Sequence, residues 1–136
     1  MAALRVLVVD DNDLIRHLVR LIIETGGHVA VEAESAEIAL EAAREDPPDV
    51  CVVDEVMPGM SGSDLIRALR GSPDPRLRAV PVIGISGREG ADRELLAAGA
   101  SAFVPKPVEE QALLSALARV APVPTRHGGA PPGLPA

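Results

Sequence analysis

The sequence predicts an α/β fold, a doubly wound domain in which a five-stranded parallel sheet carries helices on both faces. Short apolar runs alternate along the chain with segments whose apolar residues recur at helical spacing. The chain has 136 residues, 47% of them hydrophobic, which suits a single domain with a buried core. Glycine and proline clusters lie between the segments, where turns are expected.

Five runs are predicted as strands because each is short, largely apolar and bounded by turn or helix-start residues. They span residues 4–9, 28–33, 50–53, 80–85 and 102–104. Strands that are buried on both faces of a parallel sheet are expected to show such near-continuous hydrophobicity. The runs therefore favour a parallel sheet covered by helices on both sides.

Helices are predicted between and after these strands, where charged and apolar residues alternate at helical spacing. They span residues 14–24, 36–45, 64–69, 92–98 and 109–120. Asp11 or Asn12 can cap the first helix, and Ser35 can cap the second. Residues 71–75 are predicted as a turn because they contain glycine, serine and proline.

Apolar side chains at helical spacing define the helix faces that are expected to pack on the core. In the first helix these residues are Leu14, Leu18, Leu21 and Ile22. In the last helix they are Leu113, Leu114 and Leu117.

Charge and composition exclude several kinds of partner. Twenty acidic residues against thirteen basic ones give a formal charge of -7, so direct binding to nucleic acid is not expected. The single phenylalanine, without tyrosine or tryptophan, argues against an RNA-binding sheet that stacks bases. One cysteine excludes an internal disulfide, and no apolar run approaches the roughly 20 residues that cross a bilayer. We therefore expect a soluble, cytoplasmic protein with no membrane partner.

The last fifteen residues, 122–136, differ from the rest of the chain in containing five prolines and three glycines. Such a segment buries little apolar area and is predicted to be disordered. The expected organisation is therefore one domain over residues 1–121 and a Pro/Gly-rich tail over residues 122–136. A stand-alone domain is one interpretation of this ending, and a linker cut from a longer protein is the other.

Polar and charged side chains stand where four of the predicted strands end. Asp10 and Asp11 follow the first strand, Asp54 the third, Ser86 the fourth and Lys106 the fifth. In a doubly wound fold the carboxyl ends of the strands share one edge, so these groups are expected to converge. An oxygen-only set suits Mg²⁺, and a cation, a lysine and a hydroxyl together can hold a phosphoryl group. A carboxylate can itself accept that group as an aspartyl phosphate.

Short motifs with these residues follow one another along the chain. They are VVDDN at 8–12, PDVCVVD at 48–54, MPGMSG at 57–62, PVIGIS at 81–86, AGA at 98–100 and FVPKP at 103–107. Through this ordered set the sequence resembles, over residues 4–121, the receiver domain of two-component response regulators. The resemblance implies a flavodoxin-like (β/α)5 fold with the strand order 2-1-3-4-5.

The resemblance implies a role for each residue near the strand ends. Asp54 is the expected phosphoacceptor, and Lys106 and Ser86 are expected to contact the phosphoryl group and assist its transfer. Ser86 and Phe103 are the expected switch residues, whose shift changes a surface that a partner recognises. The domain is then a phosphorylatable switch and not an enzyme, although it assists its own phosphorylation and dephosphorylation.

The resemblance also implies a cofactor and partners. Mg²⁺ is expected to bind the carboxylates of Asp10, Asp11 and Asp54 and the backbone carbonyl of Val56. The expected phosphodonor is a histidine kinase or a histidine phosphotransfer protein, and the output partner is a downstream protein that the sequence does not name. The architecture resembles that of stand-alone chemotaxis-type receivers. Because members of the family often dimerise, a homodimer is left open.

The sequence departs from the family pattern near the expected site. Ser86 replaces the commoner threonine and keeps the hydroxyl, whereas Phe103 lacks the hydroxyl of a tyrosine. Glu55 stands where an apolar residue is more usual, and Gly87 stands where alanine is common. The stretch from Ser86 to Lys106 is slightly short, so the helix within it is expected to be shortened.

Two other functions fit parts of the pattern. A receiver-like binding module would act without phosphorylation and would not respond to a phosphodonor with Mg²⁺. A haloacid-dehalogenase-like phosphatase would use the segment Asp11-Asn12-Asp13 as its Asp-x-Asp motif and would turn over a phosphate ester. However, Ile15 stands where that family expects threonine or valine, and segment 54–59 would have no role.

Overall fold

The computed structural model describes residues 3–122 and contains one five-stranded sheet. The strands are β1 Arg5–Val9, β2 Val29–Ala33, β3 Val50–Asp54, β4 Val82–Ser86 and β5 Ala102–Pro105. All neighbouring strands are parallel, and their order across the sheet is β2-β1-β3-β4-β5. The α/β fold class and the strand order expected for the sheet are therefore confirmed.

Within the described residues, six helices accompany these strands. They are α1 Asp13–Thr25, α2 Ala36–Glu45, α3 Gly62–Arg70, α4 Pro75–Arg78, α5 Ala91–Ala98 and α6 Glu110–Val120. Five of them match the predicted helices to within two residues at each end. The helix expected to be shortened, α5, has eight residues, whereas α1 has thirteen.

The short helix α4 was not predicted. Its N-cap is Asp74, whose carboxylate accepts a hydrogen bond from the Arg76 amide at 2.9 Å. Pro75 opens the helix, where its missing amide hydrogen leaves no bond unmade. Leu77 is 1% exposed and joins the core. Four residues carry too little periodicity to be recognised as a helix, so this element depends on the burial of one leucine.

Helices cover both faces of the sheet and bury a core on each. On one face α1 and α6 pack against strand residues that include Val8, Val52 and Ile83. On the other face α2, α3, α4 and α5 pack against the alternate strand residues, among them Val9 and Val53. In such an architecture a functional site is expected at the edge where the strands end.

The buried face of α1 is not the predicted one. Leu14, Leu18 and Leu21 are 76%, 44% and 54% exposed, so the prediction that they pack in the core is wrong. The apolar residues that α1 buries are Val19, Ile22 and Ile23, of which only Ile22 was predicted. Both sets recur at intervals of three and four residues, so spacing alone does not choose between them. The contacts of α1 with the sheet and with α6 make the choice.

The prediction for the last helix is confirmed, because Leu113 and Leu117 are buried and Leu114 packs partly buried against the same core. Apart from Pro122, the predicted tail over 122–136 lies outside the described residues, and the boundary at residue 121 stays a prediction. In residues 3–122, no helix has the length and apolar character that spanning a membrane requires.

Candidate functional site

The predicted site residues lie at the carboxyl edge of the sheet. Asp10 and Asp11 follow β1, and Lys106 follows β5. Asp54 and Ser86 are the last residues of β3 and β4. Since β1, β3 and β4 are neighbours in the sheet, their ends bring residues that are far apart in the sequence close together.

Lys106 bridges two of the carboxylates. Its Nζ lies 3.1 Å from Oδ2 of Asp10 and 3.2 Å from Oδ1 of Asp54. Both aspartates are buried, and the Lys106 side chain is only 22% exposed. The Lys106 amide donates a hydrogen bond to the Ser86 carbonyl at 3.1 Å, which joins the loop after β5 to the end of β4. The structure therefore brings Asp10, Asp54, Ser86 and Lys106 together.

Three carboxylates of the site could hold a cation. Ligand oxygens of Asp10, Asp11 and Asp54 lie within 4.8 Å of one another, and Asp11 is exposed to solvent. Oδ1 of Asp10 accepts a hydrogen bond from the Asn12 amide at 2.9 Å. Oδ2 is buried and, although close to Lys106, has no well-oriented hydrogen bond. A set of oxygen donors with one unsatisfied buried oxygen fits Mg²⁺, a hard cation that prefers carboxylate and water ligands.

Burial and neighbouring charges change the protonation of the site. Burial and repulsion by Asp10 raise the pKa of Asp54 from 3.8 to about 6, against the opposing effect of Lys106. Burial disfavours the charge of Lys106, but the carboxylates of Asp54 and Asp10 outweigh it and raise the pKa of the ammonium. At neutral pH Lys106 is therefore charged, and Asp54 is largely ionised but more basic than an ordinary aspartate. These properties suit a carboxylate nucleophile beside a fixed cation.

The two predicted switch residues lie on neighbouring strands. Ser86 is buried, and its Oγ accepts a hydrogen bond from the Arg88 amide at 3.1 Å, which leaves the hydroxyl hydrogen able to point elsewhere. Phe103 pairs with Gly84 in the register of β4 and β5. Its ring is partly buried against the core that α2 to α5 cover. The role of both residues as switches stays a prediction.

Val56, whose carbonyl is the fourth predicted metal ligand, lies in the loop after β3 and is 54% exposed. The same loop is attached to α2, because Oε2 of Glu37 accepts a hydrogen bond from the Met60 amide at 3.1 Å. This attachment limits the movement of the loop that follows Asp54. Metal binding by the Val56 carbonyl stays a prediction.

Helix α3 begins directly against the backbone of Asp54. A Cβ atom at Gly62 would collide with the Asp54 carbonyl oxygen and lie 2.9 Å from Cα of Glu55, so only glycine fits there. Ser61 and Asp64 form a capping box that starts the helix at this point. The end of the MPGMSG motif therefore sets the distance between α3 and the candidate phosphoacceptor.

Glu55 makes a contact that sequence analysis missed. Its Oε1 accepts hydrogen bonds from the amide of Ser63 at 2.7 Å and from the hydroxyl of Ser63 at 2.8 Å. Its Oε2 lies 3.7 Å from Nη2 of Arg88, which also pairs with Glu94 on α5 at 2.5 Å. A polar link, buried at Glu55 and exposed at Arg88, thus joins the loop after β3 to the loop after β4. The acidic residue at an ordinarily apolar position was the only sequence signal, and it does not identify the partners.

Comparison with known proteins identifies the family. Residues 6–118 match the family profile described as the response regulator receiver domain. The chain belongs to this family, as its motifs implied. It is therefore a receiver domain of the kind found in two-component response regulators.

Individual relatives differ in size. The chain is 37% identical over 131 residues to the sensory/regulatory protein RpfC of Xanthomonas campestris pv. campestris. The matched region covers 95% of this chain but only 18% of RpfC. It is 31% identical over 115 residues to protein PilH of Pseudomonas aeruginosa, with 83% of this chain and 93% of PilH covered. The chemotaxis protein CheY4 of Vibrio cholerae superimposes with a TM-score of 0.79 at 29% identity, over 88% of this chain and 99% of CheY4. The chain thus spans less than a fifth of RpfC and is similar over most of its length to two small proteins.

Proposed function

We propose that this chain is a phosphoacceptor response regulator. Asp54 takes a phosphoryl group from a histidine kinase or a histidine phosphotransfer protein with the help of Mg²⁺, and the phosphorylated domain signals by protein–protein contact. The observation that carries this proposal is the position of Lys106 Nζ between the buried carboxylates of Asp10 and Asp54. With Asp11 nearby, the negative charge of the site exceeds what one ammonium neutralises, which favours binding of a further cation.

In the transfer step, a carboxylate oxygen of Asp54 attacks the phosphorus atom of phosphohistidine. A P–O bond forms, the P–N bond breaks, and its electron pair stays on the histidine nitrogen of the donor. Lys106 remains charged and stabilises the phosphoryl oxygens as they approach its ammonium. Asp10, Asp11 and Asp54 with the Val56 carbonyl would hold the metal ion. When bound, Mg²⁺ supplies additional positive charge for the phosphoryl oxygens.

Ser86 links the site to the surface around α5. Its hydroxyl can donate to a phosphoryl oxygen while its carbonyl stays bonded to the Lys106 amide. Because the Arg88 amide is bonded to the same hydroxyl, movement of Ser86 would disturb the loop that leads into α5. Phe103 on the adjacent strand β5 packs against the same core as α5. We propose that these two residues convert phosphorylation into a changed surface, as a shift between two populated conformations.

The exposed leucines of α1 support a protein phosphodonor. Leu14, Leu18 and Leu21 lie on one side of the helix and form an apolar stripe that is 44% to 76% exposed. Contiguous exposed apolar surface often marks a protein interaction site. A donor that brings phosphohistidine to Asp54 must cover the carboxyl edge of the sheet, and α1 begins at that edge. We propose that the donor docks on this stripe.

Phosphorylation is tested by incubating the full chain with acetyl phosphate and Mg²⁺, followed by intact-mass spectrometry and peptide mapping. One added phosphoryl group is expected at Asp54, absent from the Asp54→Asn variant. Asp92→Asn, which changes an exposed carboxylate on α5, serves as the matched control and should be modified like the wild type. If the wild type stays unmodified while a reference receiver domain is phosphorylated under the same conditions, the receiver-like binding module becomes the better interpretation.

Docking is tested by comparing two donors with one variant. The double variant Leu14→Ser/Leu18→Ser is expected to slow transfer from a histidine phosphotransfer protein while leaving modification by acetyl phosphate unchanged. The small donor needs no docking surface, so it controls for damage to the site itself. Equal transfer rates from the protein donor to the variant and to the wild type would contradict the assignment of this surface.

The phosphatase alternative finds little support in the geometry. Oδ1 of Asn12 caps α1 by accepting a hydrogen bond from the Ile15 amide at 3.0 Å. Oδ1 of Asp13 accepts a hydrogen bond from Arg16 at 2.8 Å. Both side chains are therefore occupied in local structure. To favour this alternative, release of phosphate from a small ester would have to be abolished by Asp11→Asn and retained in Asp54→Asn.

A further inference from the structure

Arg16 stands out as a buried cation on the core-facing side of α1. It is 8% exposed, and its guanidinium donates to three different acceptors. Nη1 donates to the backbone carbonyl of Asp10 at 2.9 Å, and Nε donates to Oε1 of Glu32 at 2.7 Å. Nη2 donates to Oδ1 of Asp13 at 2.8 Å. Arg16 therefore joins the end of β1, the start of α1 and strand β2 at one point.

Glu32 anchors this arginine from the neighbouring strand. Its Oε2 accepts a hydrogen bond from Nη1 of Arg20 at 2.8 Å, and Nδ1 of His17 lies 2.9 Å from its Oε1. Burial alone would raise the pKa of Glu32, but Arg16, His17 and Arg20 outweigh it and lower that pKa. The carboxylate is therefore charged at neutral pH and holds the guanidinium in place.

Arg16 and β2 together restrain the peptide unit of Asp10. The Asp10 amide donates to the carbonyl of Ala33 at 3.2 Å, while its carbonyl accepts from Arg16. The register of β1 and β2 places Val8 opposite Glu32, so the anchor lies on the strand that also binds the Asp10 amide. The direction of the Asp10 side chain follows from this doubly held backbone.

The orientation of Asp10 is important because Mg²⁺ requires nearly ideal octahedral geometry from its ligands. Groups that only orient metal ligands commonly change metal affinity by 10- to 100-fold when they are removed. We propose that Arg16, anchored by Glu32, is a positioning residue that holds Asp10 for divalent-cation binding. This inference rests on the metal site of the proposed function and goes beyond it by assigning a residue that touches neither the cation nor the phosphoryl group.

A purely electrostatic role of Arg16 predicts the opposite result from a positioning role. Removing a nearby positive charge lowers the repulsion of Mg²⁺ and would tighten its binding. Loss of the restraint on Asp10 would weaken binding. The sign of the change in Mg²⁺ affinity therefore separates the two roles.

The experiment titrates Mg²⁺ into ¹⁵N-labelled full-length chain and follows amide chemical shifts to obtain the dissociation constant. Arg16→Gln is expected to weaken Mg²⁺ binding about tenfold. Arg20→Gln is the matched control, because Arg20 also binds Glu32 and carries the same charge but has no hydrogen bond to Asp10. This control is expected to stay within about twofold of the wild type.

Unchanged or tighter Mg²⁺ binding in folded Arg16→Gln overturns the inference, and so does an equal loss in Arg20→Gln. If Arg16→Gln does not fold, Arg16→Lys decides by the same titration, because it keeps the positive charge but cannot reproduce the three hydrogen bonds of the guanidinium. Weaker binding in that variant supports the inference, and wild-type binding overturns it. Failure of the wild type itself to bind Mg²⁺ would instead remove the proposed function on which the inference rests.

Discussion

The ammonium of Lys106 lies 3.2 Å from a carboxylate oxygen of Asp54, although three helices and two strands, α3 to β5, separate the two residues along the chain. Lys106 is the only lysine among thirteen basic residues. The compact ammonium contacts both carboxylates from one point, whereas a planar guanidinium distributes its charge and its five donors over a larger area. Asp10 and Asp54 therefore share the ammonium of Lys106 at one point of the site.

Replacing Lys106 by methionine is expected to slow phosphorylation of Asp54 by acetyl phosphate about 100-fold, because a charged group that stabilises the transferred phosphoryl is lost. The rate is measured by intact-mass spectrometry over time. Arg119→Met, which removes an exposed cation on α6, is the control for net charge and should be without effect. Phosphorylation of Lys106→Met at the wild-type rate would contradict this role.

The raised pKa of Asp54 predicts a stability change that depends on pH. Because the folded-state pKa is about 6 and the ordinary value is 3.8, the folded protein binds more protons than the unfolded chain in this interval. Stability is therefore lost as the pH rises from about 4 to about 6. Asp54→Asn removes this loss, so it should stabilise the protein above pH 6 by on the order of 1 to 2 kcal/mol, after allowance for solvent screening.

This prediction is checked by urea unfolding in EDTA at pH 4.5 and at pH 7.5. The gain from Asp54→Asn should be small at the lower pH and larger at the higher one. Asp92→Asn provides the comparison with an exposed carboxylate. A gain of equal size at both pH values would show that the charge of Asp54 is not the cause.

The link between Glu55 and Ser63 is expected to contribute to the stability of the loop after β3. Glu55→Ala should lower the free energy of unfolding by about 2 kcal/mol, since the Ser63 amide and hydroxyl lose a charged acceptor in a buried place. Urea unfolding measures the change, and Glu41→Ala on the exposed side of α2 is the control. Wild-type stability of Glu55→Ala would mean that water replaces the carboxylate at no cost.

The close approach of α3 to Asp54 predicts a severe effect at one glycine and a mild one at another. Gly62→Ala should destabilise the protein by about 2 kcal/mol, because its Cβ would collide with the Asp54 carbonyl. Gly71→Ala at the end of the same helix meets only ordinary contacts and has a negative φ, so its effect should be below about 0.5 kcal/mol. The two variants are compared by thermal and urea unfolding; similar losses would argue against the collision.

Much of the fold and of the candidate site could be predicted because the relevant signals are local. Each strand is a contiguous apolar run, and Asp10, Asp54 and Ser86 stand at the ends of such runs. The carboxyl ends of parallel strands share one edge of the sheet, so their convergence follows from the fold class alone. Lys106 was identified by the same reasoning, and the structure places its ammonium between two of these residues.

Other features were not predictable because they depend on which surfaces meet. The buried side of α1 was predicted from Leu14 and Leu18, but packing against the sheet and α6 buries Val19 and Ile23 instead. Helix α4 shows no periodicity of its own and depends on the burial of Leu77. In each case, the local pattern allowed more than one arrangement.

The sequence by itself determined the α/β class, the strand positions and the set of charged residues at the strand ends, since hydrophobic runs and their polar ends can be recognised along the chain. Only the tertiary structure decided that Arg16 holds the Asp10 carbonyl and that Glu55 binds Ser63. Each of these contacts joins a residue directly after a strand to a residue in the helix that follows. The two residues of each contact become neighbours only when the helix packs on the sheet. The residue pattern of the strand or of the helix alone therefore does not predict the contact.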